Sequence, residues 1–127
     1  MKTAGSSAGA AGRQRAYRTG LLAETVAVWW LRLKGYRILA RRYRTPVGEI
    51  DVVVVRGAVL AAVEVKRRGS AAAAAEAVTA TQQQRIVRTL EHFLAGHPAF
   101  ANQALRFDAV LVVPWRWPCH LEDAWRP

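Results

Sequence analysis

The chain has 127 residues and a formal net charge of +10, with 19 Lys and Arg against nine Asp and Glu. This length predicts a single domain, and a 52% hydrophobic content is enough to build its core. The one cysteine, Cys119, excludes an intramolecular disulfide and a multi-cysteine zinc site. No apolar run reaches the roughly 18 residues of a transmembrane helix. We therefore expect a soluble, cytoplasmic, basic domain that binds a polyanion, either nucleic acid or an anionic membrane surface.

The first predicted element is a helix that follows a flexible basic segment. Residues 1–18 are rich in Ala, Gly and Ser and lack the apolar stretch of a signal peptide, so the domain is expected to span 19–127. Residues 19–34 have apolar side chains at helical spacing, namely Leu22, Val26, Trp29 and Leu33. Thr19 is the predicted N-cap, and Gly35 is placed to end the helix. Trp29 and Trp30 are assigned to the core.

Three predicted strands follow, at residues 36–43, 49–56 and 59–66, and a basic loop occupies 67–70. A second helix is predicted over 72–94, and its expected inner face consists of Val78, Ile86, Leu90 and Phe93. A fourth strand at 105–113 precedes a tryptophan-rich tail that is expected to pack back as a short irregular element. This order predicts an α/β fold, a small mixed β-sheet flanked by helices, whose last two strands are parallel.

Three acids lie within or beside valine-rich strands, where an unpaired buried charge is costly: Glu49, Asp51 and Glu64. A two-residue turn at Gly57-Ala58 would place Asp51 directly opposite Glu64, with Cβ atoms about 4.5–5.5 Å apart. Two carboxylates at that distance repel unless a cation lies between them, and Mg²⁺ prefers such oxygen ligands. The same register puts Lys66 on that face, where it could stabilise charge on a phosphate.

Arginine side chains offer a second explanation for these acids, because the chain has 16 arginines that could pair with them. Spacing alone leaves the metal-site and ion-pair interpretations open. Five arginines flank the acidic strands, namely Arg41, Arg42, Arg44, Arg67 and Arg68. They suit contacts to a nucleic-acid backbone, although a solvated basic face would have the same composition.

At this point two motifs point to a known family. Gly48-Glu49-Ile50-Asp51 and Val63-Glu64-Val65-Lys66 together resemble the D…ExK signature of the restriction-endonuclease-like superfamily, PD-(D/E)XK. From about residue 20 to residue 125 the chain is similar to the bacterial YraN family of small predicted endonucleases. The resemblance implies a restriction-endonuclease-like core and a metal-dependent phosphodiesterase.

The resemblance also implies roles for individual residues. Asp51 and Glu64 would hold Mg²⁺ or Mn²⁺, and Lys66 would lie beside the attacked phosphate. Glu24 would reach the site from the first helix as a further catalytic and metal-binding acid. Gln82 or Gln83 would take the place of a helix glutamine in related nucleases, although the lysine usual near that position is missing here.

The sequence therefore predicts a metal-dependent nuclease that hydrolyses DNA, with branched or single-stranded forms as candidate substrates. The alternative is a non-catalytic nucleic-acid-binding domain with an endonuclease-like fold. A third hypothesis is a partner-binding protein that uses its tryptophan-rich tail as an interface. Nucleic acid rather than a membrane is the expected partner, and a homodimer is left open.

Overall fold

The computed structural model describes residues 20–67 and 78–127, and the expectations for residues 1–19 and 68–77 lie outside these ranges. The described residues form a five-stranded sheet in the order β1-β2-β3-β4-β5. Its strands are β1 (Arg37–Thr45), β2 (Gly48–Arg56), β3 (Val59–Lys66), β4 (Ala104–Leu111) and β5 (Cys119–Leu121). The helices are α1 (residues 20–33) and α2 (Ala80–Gly96), with a 3₁₀ turn at Pro98–Phe100.

The topology confirms the predicted α/β class and a small mixed sheet flanked by helices. β3 and β4 pair in parallel through the α2 crossover, and the other neighbouring strands are antiparallel. The β2–β3 hairpin turns at Gly57, whose φ of 59° suits a glycine, and pairs Arg56 with Val59 as the turn predicted. Gly35, between α1 and β1, has φ 90° and follows the end of α1, also as predicted.

Two apolar layers hold the helices on opposite faces of the sheet. The predicted inner face of α2 is confirmed, since Ile86, Leu90 and Phe93 are buried in one layer together with Val78. The helix itself begins at Ala80, later than the predicted residue 72. Thr79 is its N-cap, and the Thr79 hydroxyl accepts a hydrogen bond from the backbone N–H of Gln82.

The apolar stripe that predicted α1 does not face the core. Its four members are exposed, from 42% to 78%: Leu22, Val26, Trp29 and Leu33. The opposite face, with Ala27, Val28 and Leu31, is the buried one. The core assignment of Trp29 is therefore wrong. The small side chains of Ala27 and Val28 let the buried face of α1 pack closely on the sheet. Trp29 lies on the exposed face, beneath the Arg32 guanidinium.

The tail is more regular than expected, because Cys119–Leu121 forms β5 against β4. Trp125 is buried and stacks on Phe107 with ring centroids 4.3 Å apart, whereas Trp115 and Trp117 are exposed. Trp30 packs against the Trp117 ring at 5.8 Å. None of the helices in the described ranges is long and apolar enough to cross a membrane.

Candidate functional site

The site forms where strands β2 and β3 stop pairing. Their ladder ends at Val52↔Val63, one residue before Asp51 and Glu64. Beyond that point the Asp51 side chain replaces the ladder, and its Oδ2 atom accepts the Val65 backbone N–H at 2.8 Å. The Asp51 carboxyl therefore lies in the gap between the strands, within hydrogen-bonding reach of the Glu64 carboxyl.

Glu64 carries the clearest sign of an incomplete site. Its Oε1 atom is buried and has no hydrogen-bond partner among the described residues. Burial, and next the negative charge of Asp51, raise the pKa of Glu64 to about 9. Burial also raises the pKa of Asp51, although the Val65 N–H and the Lys66 charge act in the opposite direction. The charge of Lys66 therefore only partly offsets the burial of this pair.

Two clefts open from the gap, one on each side of the sheet. The cleft beside α1, of about 230 Å³, is lined by Glu24, Asp51 and Arg67 among others. The cleft beside α2, of about 210 Å³, is lined by Glu64, Lys66 and Gln82 among others. Asp51 and Glu64 thus line different clefts, so the flat ladder expected from the hairpin holds only as far as Val52↔Val63. The two acids still interact, because each affects the pKa of the other.

Of the three strand acids, Glu49 bears out the ion-pair interpretation, and Glu24 on α1 also pairs with arginines. Buried Glu24 pairs with Arg41 at 3.2 Å and with Arg42 at 3.8 Å. Glu49 lines both clefts and pairs with Arg44 at 3.2 Å and with Arg42 at 4.0 Å. Within residues 20–67 and 78–127, no group of three or more His, Cys, Asp or Glu side chains converges as a metal cluster. The role of Glu24 as a third metal ligand therefore stays a prediction.

Gln82 has a structural role that its sequence position did not reveal. Its Oε1 atom accepts the Thr79 backbone N–H at 3.0 Å, which completes a capping box at the start of α2. The Gln82 side chain also borders the cleft that contains Glu64 and Lys66. Its place next to the acids agrees with the predicted role, but catalysis by Gln82 remains untested.

The arginines predicted to bind nucleic acid are spread around the acids. Arg41, Arg42 and Arg44 form the ion pairs described above, and Arg67 borders the cleft beside α1. Arg68 lies outside the described residues. Contacts of all five arginines to nucleic acid stay a prediction.

The sequence analysis missed two arginines on α2, Arg85 and Arg88, which lie at the same end of the sheet. Their spacing of three residues, which places them on one helix face, was the available signal. A glycine brings this face close to the acids, because a Cβ atom at Gly48 would lie 2.9 Å from Thr89 Oγ1 and 3.3 Å from Arg85 Cβ. The glycine of the Gly48-Asp51 motif therefore lets β2 pack directly on α2.

A second buried carboxyl, Asp108 on β4, is fully satisfied. Arg106 donates to its two oxygens at 2.8 and 2.9 Å, and His120 Nε2 lies 2.8 Å from Oδ2. The Asp123 backbone N–H donates to it as well, at 3.0 Å. Burial alone would raise the pKa of Asp108, but these hydrogen bonds hold it below its ordinary value. The expected structural Arg106–Asp108 pair is confirmed.

Comparisons with known proteins agree with one another. A model of the uncharacterised protein family UPF0102 matches residues 23–112, which include Glu24, Asp51, Glu64 and Lys66. A UPF0102 protein from Parvibaculum lavamentivorans is 62% identical over 112 residues, covering 88% of this chain and 84% of the relative. Another from Chelativorans sp. is 50% identical over 111 residues, covering 87% and 90%. A third, from Rhodopseudomonas palustris (strain HaA2), is 54% identical over 112 residues, covering 88% of each.

Proposed function

The chain belongs to the uncharacterised protein family UPF0102, and we propose that it is a divalent-metal-dependent phosphodiesterase that hydrolyses nucleic acid, with DNA as the expected substrate. One observation carries the proposal. The Glu64 Oε1 atom is buried with no hydrogen-bond partner in the part of the chain that the structure describes, next to a second carboxyl that is also buried. With a pKa of about 9, Glu64 holds a proton near pH 7, and a bound cation would displace that proton and supply the partner that Oε1 lacks.

The donor set suits Mg²⁺ or Mn²⁺. Both are hard cations that take carboxylate oxygens and leave positions for water and substrate phosphate. The arginines that neutralise Glu24 and Glu49 form no ion pair with Asp51 or Glu64 in the part of the chain that the structure describes. The two central acids are thus left to a different cation. The mixed sheet and the two acids at the end of its hairpin also fit a restriction-endonuclease-like core.

When bound, the metal would supply a Lewis acid and lower the pKa of a coordinated water. Asp51 and Glu64 would hold it, and the Val65 N–H would fix the orientation of the Asp51 carboxyl. Lys66 lies close enough for its charge to lower the pKa values of both acids. Its ammonium group borders the cleft that contains Glu64, where it would stabilise negative charge developing on a phosphate oxygen.

A cleavage assay tests this proposal. Labelled duplex, single-stranded, flapped and branched DNA would be incubated at low salt with Mg²⁺, Mn²⁺ or EDTA. We expect metal-dependent hydrolysis by the wild type, and a loss of at least about 100-fold in Asp51→Asn and Glu64→Gln, because ligand removal exceeds the roughly 10–100-fold cost of altering an outer-shell partner. Glu91→Gln is the matched control, since Glu91 is an exposed acid on α2 that forms no ion pair with a described residue.

Two results would overturn the proposal. Cleavage that survives in both Asp51→Asn and Glu64→Gln would place the activity elsewhere or in a contaminant. Binding of DNA without hydrolysis under every metal condition would favour the non-catalytic nucleic-acid-binding domain instead.

A further inference from the structure

Two exposed arginines of α2 differ from the other arginines near the acids. Arg41, Arg42 and Arg44 each have a carboxylate within 4.0 Å. Arg85 and Arg88 form no ion pair with any residue in the described ranges, and both are exposed. Residues three apart on a helix have Cβ atoms about 5–6 Å apart on one face, so the two guanidinium groups project from the same side of α2.

These arginines line a groove of about 620 Å³ between α2 and the β1–β2 turn. The groove continues into the cleft that contains Glu64 and Lys66, because both share Gly48, Glu49 and Arg85 in their walls. Arg44 borders the outer side of the groove. The cleft and the groove together therefore offer a strand of nucleic acid a path from Glu64 along α2.

We propose that this arginine groove, lined by Arg44, Arg85 and Arg88, binds the phosphates that flank the scissile phosphate of a polynucleotide. The inference rests on the proposed phosphodiesterase and specifies its substrate class. The substrate is a nucleic-acid strand that extends several phosphates beyond the cleaved bond, rather than a small phosphodiester.

The charges of the groove favour a phosphate over other anions. A guanidinium group donates two parallel hydrogen bonds to phosphate oxygens, which a lysine cannot do. Glu49 is the acid in the groove wall, and its charge is balanced by Arg44 and Arg42. The charges of Arg85 and Arg88 are thus available to a ligand.

Binding of fluorescent single-stranded and duplex oligonucleotides, measured in EDTA at increasing salt, tests the groove without cleavage. The slope of log K against log salt is negative, and each lost phosphate contact reduces its magnitude by about 0.9 for duplex and about 0.7 for single strands. Arg85→Ala/Arg88→Ala should therefore reduce the magnitude of the slope by about 1.8 for duplex and by about 1.4 for single strands. The same variant should weaken binding at least about tenfold at low salt. Arg85→Lys/Arg88→Lys, which keeps both charges, should retain most of the slope.

Arg32→Ala/Arg37→Ala is the matched control, because it removes two exposed charges that lie outside the groove lining. A second readout is the hydrolysis of bis(4-nitrophenyl) phosphate in the presence of Mn²⁺. This compound is too small to fill the groove. The alanine double variant should raise the KM for an oligonucleotide by a larger factor than it lowers the rate of hydrolysis of this compound. Thermal unfolding of each variant shows whether it is folded.

The outcomes separate the groove from the phosphodiesterase. A wild-type salt slope in Arg85→Ala/Arg88→Ala, with cleavage intact, would overturn the groove and leave the phosphodiesterase standing. An equal loss of small-substrate and oligonucleotide hydrolysis would also overturn it, because the arginines would then act on the acids themselves. A reduced slope in a protein that cleaves nothing would support the groove as a nucleic-acid site and overturn the phosphodiesterase.

Discussion

Two buried carboxyl clusters lie on adjacent strands of this sheet and differ in their hydrogen bonding and in the direction of their pKa shifts. Asp108 pairs across the β3–β4 ladder with Val63, the residue next to Glu64. Arg106, His120 and a backbone N–H satisfy Asp108, and the pKa of that carboxyl is lowered. Glu64 has one oxygen with no hydrogen-bond partner among the described residues, and the pKa of Glu64 is raised.

The contrast shows how this chain neutralises a buried acid when the role is structural. Asp108 is surrounded by donors supplied by the same sheet and tail. Within residues 20–67 and 78–127 no ion pair is formed by Asp51 or Glu64, although Arg42 and Arg44 reach Glu49 nearby. A buried carboxyl pair with a raised pKa, whose neighbouring arginines pair with other acids, is a feature of a binding site rather than of a stabilising one.

Breaking the satisfied cluster should have the largest effect on stability. Asp108→Asn removes the charge that balances Arg106, whose side chain is only 18% exposed. Loss of one partner of a buried pair costs about 3–5 kcal/mol, and the free energy of unfolding measured in urea should fall by that amount. Glu91→Gln, the exposed control, should change it by less than about 0.5 kcal/mol. A stability of Asp108→Asn equal to the wild type would mean that this cluster is not a structural ion pair.

The unsatisfied pair should give an opposite dependence on pH. The pKa of Glu64 is about 9 in the fold against an ordinary 4.5, so the folded protein binds the additional proton between these values. Its contribution to stability is complete below pH 4.5 and is lost as pH rises towards 9. In EDTA, the free energy of unfolding should therefore fall by up to about 1.4 kcal/mol per pH unit in this range, relative to Glu64→Gln.

Asp108 has the reverse sign, because its lowered pKa stabilises the fold above the ordinary value of 3.8 and is lost only as pH falls. Urea unfolding of both variants from pH 3 to pH 9 measures the two slopes. A Glu64→Gln difference that does not vary with pH would show that the Glu64 carboxyl is not buried as a neutral group.

A smaller effect on stability and rate distinguishes a capping role of Gln82 on α2 from a catalytic role. Thr79→Ala and Gln82→Ala each break the capping box and should each lower the free energy of unfolding by about 1 kcal/mol. Their cleavage rates should be similar if Gln82 only caps the helix. A rate for Gln82→Ala well below that of Thr79→Ala, at equal stability, would assign Gln82 a part in the reaction.

The sequence predicted the elements whose patterns have only one solution. Gly57 placed the hairpin turn, and the buried face of α2 followed from Ile86, Leu90 and Phe93, since the other side of that helix is polar. The prediction of the buried face of α1 was wrong because apolar residues lie on both faces of this helix. Leu22 and Trp29 follow helical spacing as well as Val28 and Leu31 do, and only packing against the sheet distinguishes them.

At the site, spacing predicted that Asp51 and Glu64 would lie opposite each other on one face of the sheet, whereas they line clefts on its two sides. The end of the β2–β3 ladder depends on the Asp51 carboxyl bonding to the Val65 N–H, a tertiary choice that no local pattern encodes. The approach of α2 at Gly48, which brings Arg85 next to the acids, likewise depends on packing. The pairing of Glu24 with Arg41 required the position of α1, which the sequence did not fix.

Titration calorimetry with Mn²⁺ tests the central claim, that Asp51 and Glu64 form a cation site. We predict one binding event in the wild type and in Glu91→Gln near pH 7, and affinity at least about 10-fold weaker in Glu64→Gln. Repeating the titration in buffers of different ionisation enthalpy should show proton release on binding, because Glu64 must lose its proton to bind the metal. Equal affinity in the wild type and Glu64→Gln, or no binding by either, would contradict the account.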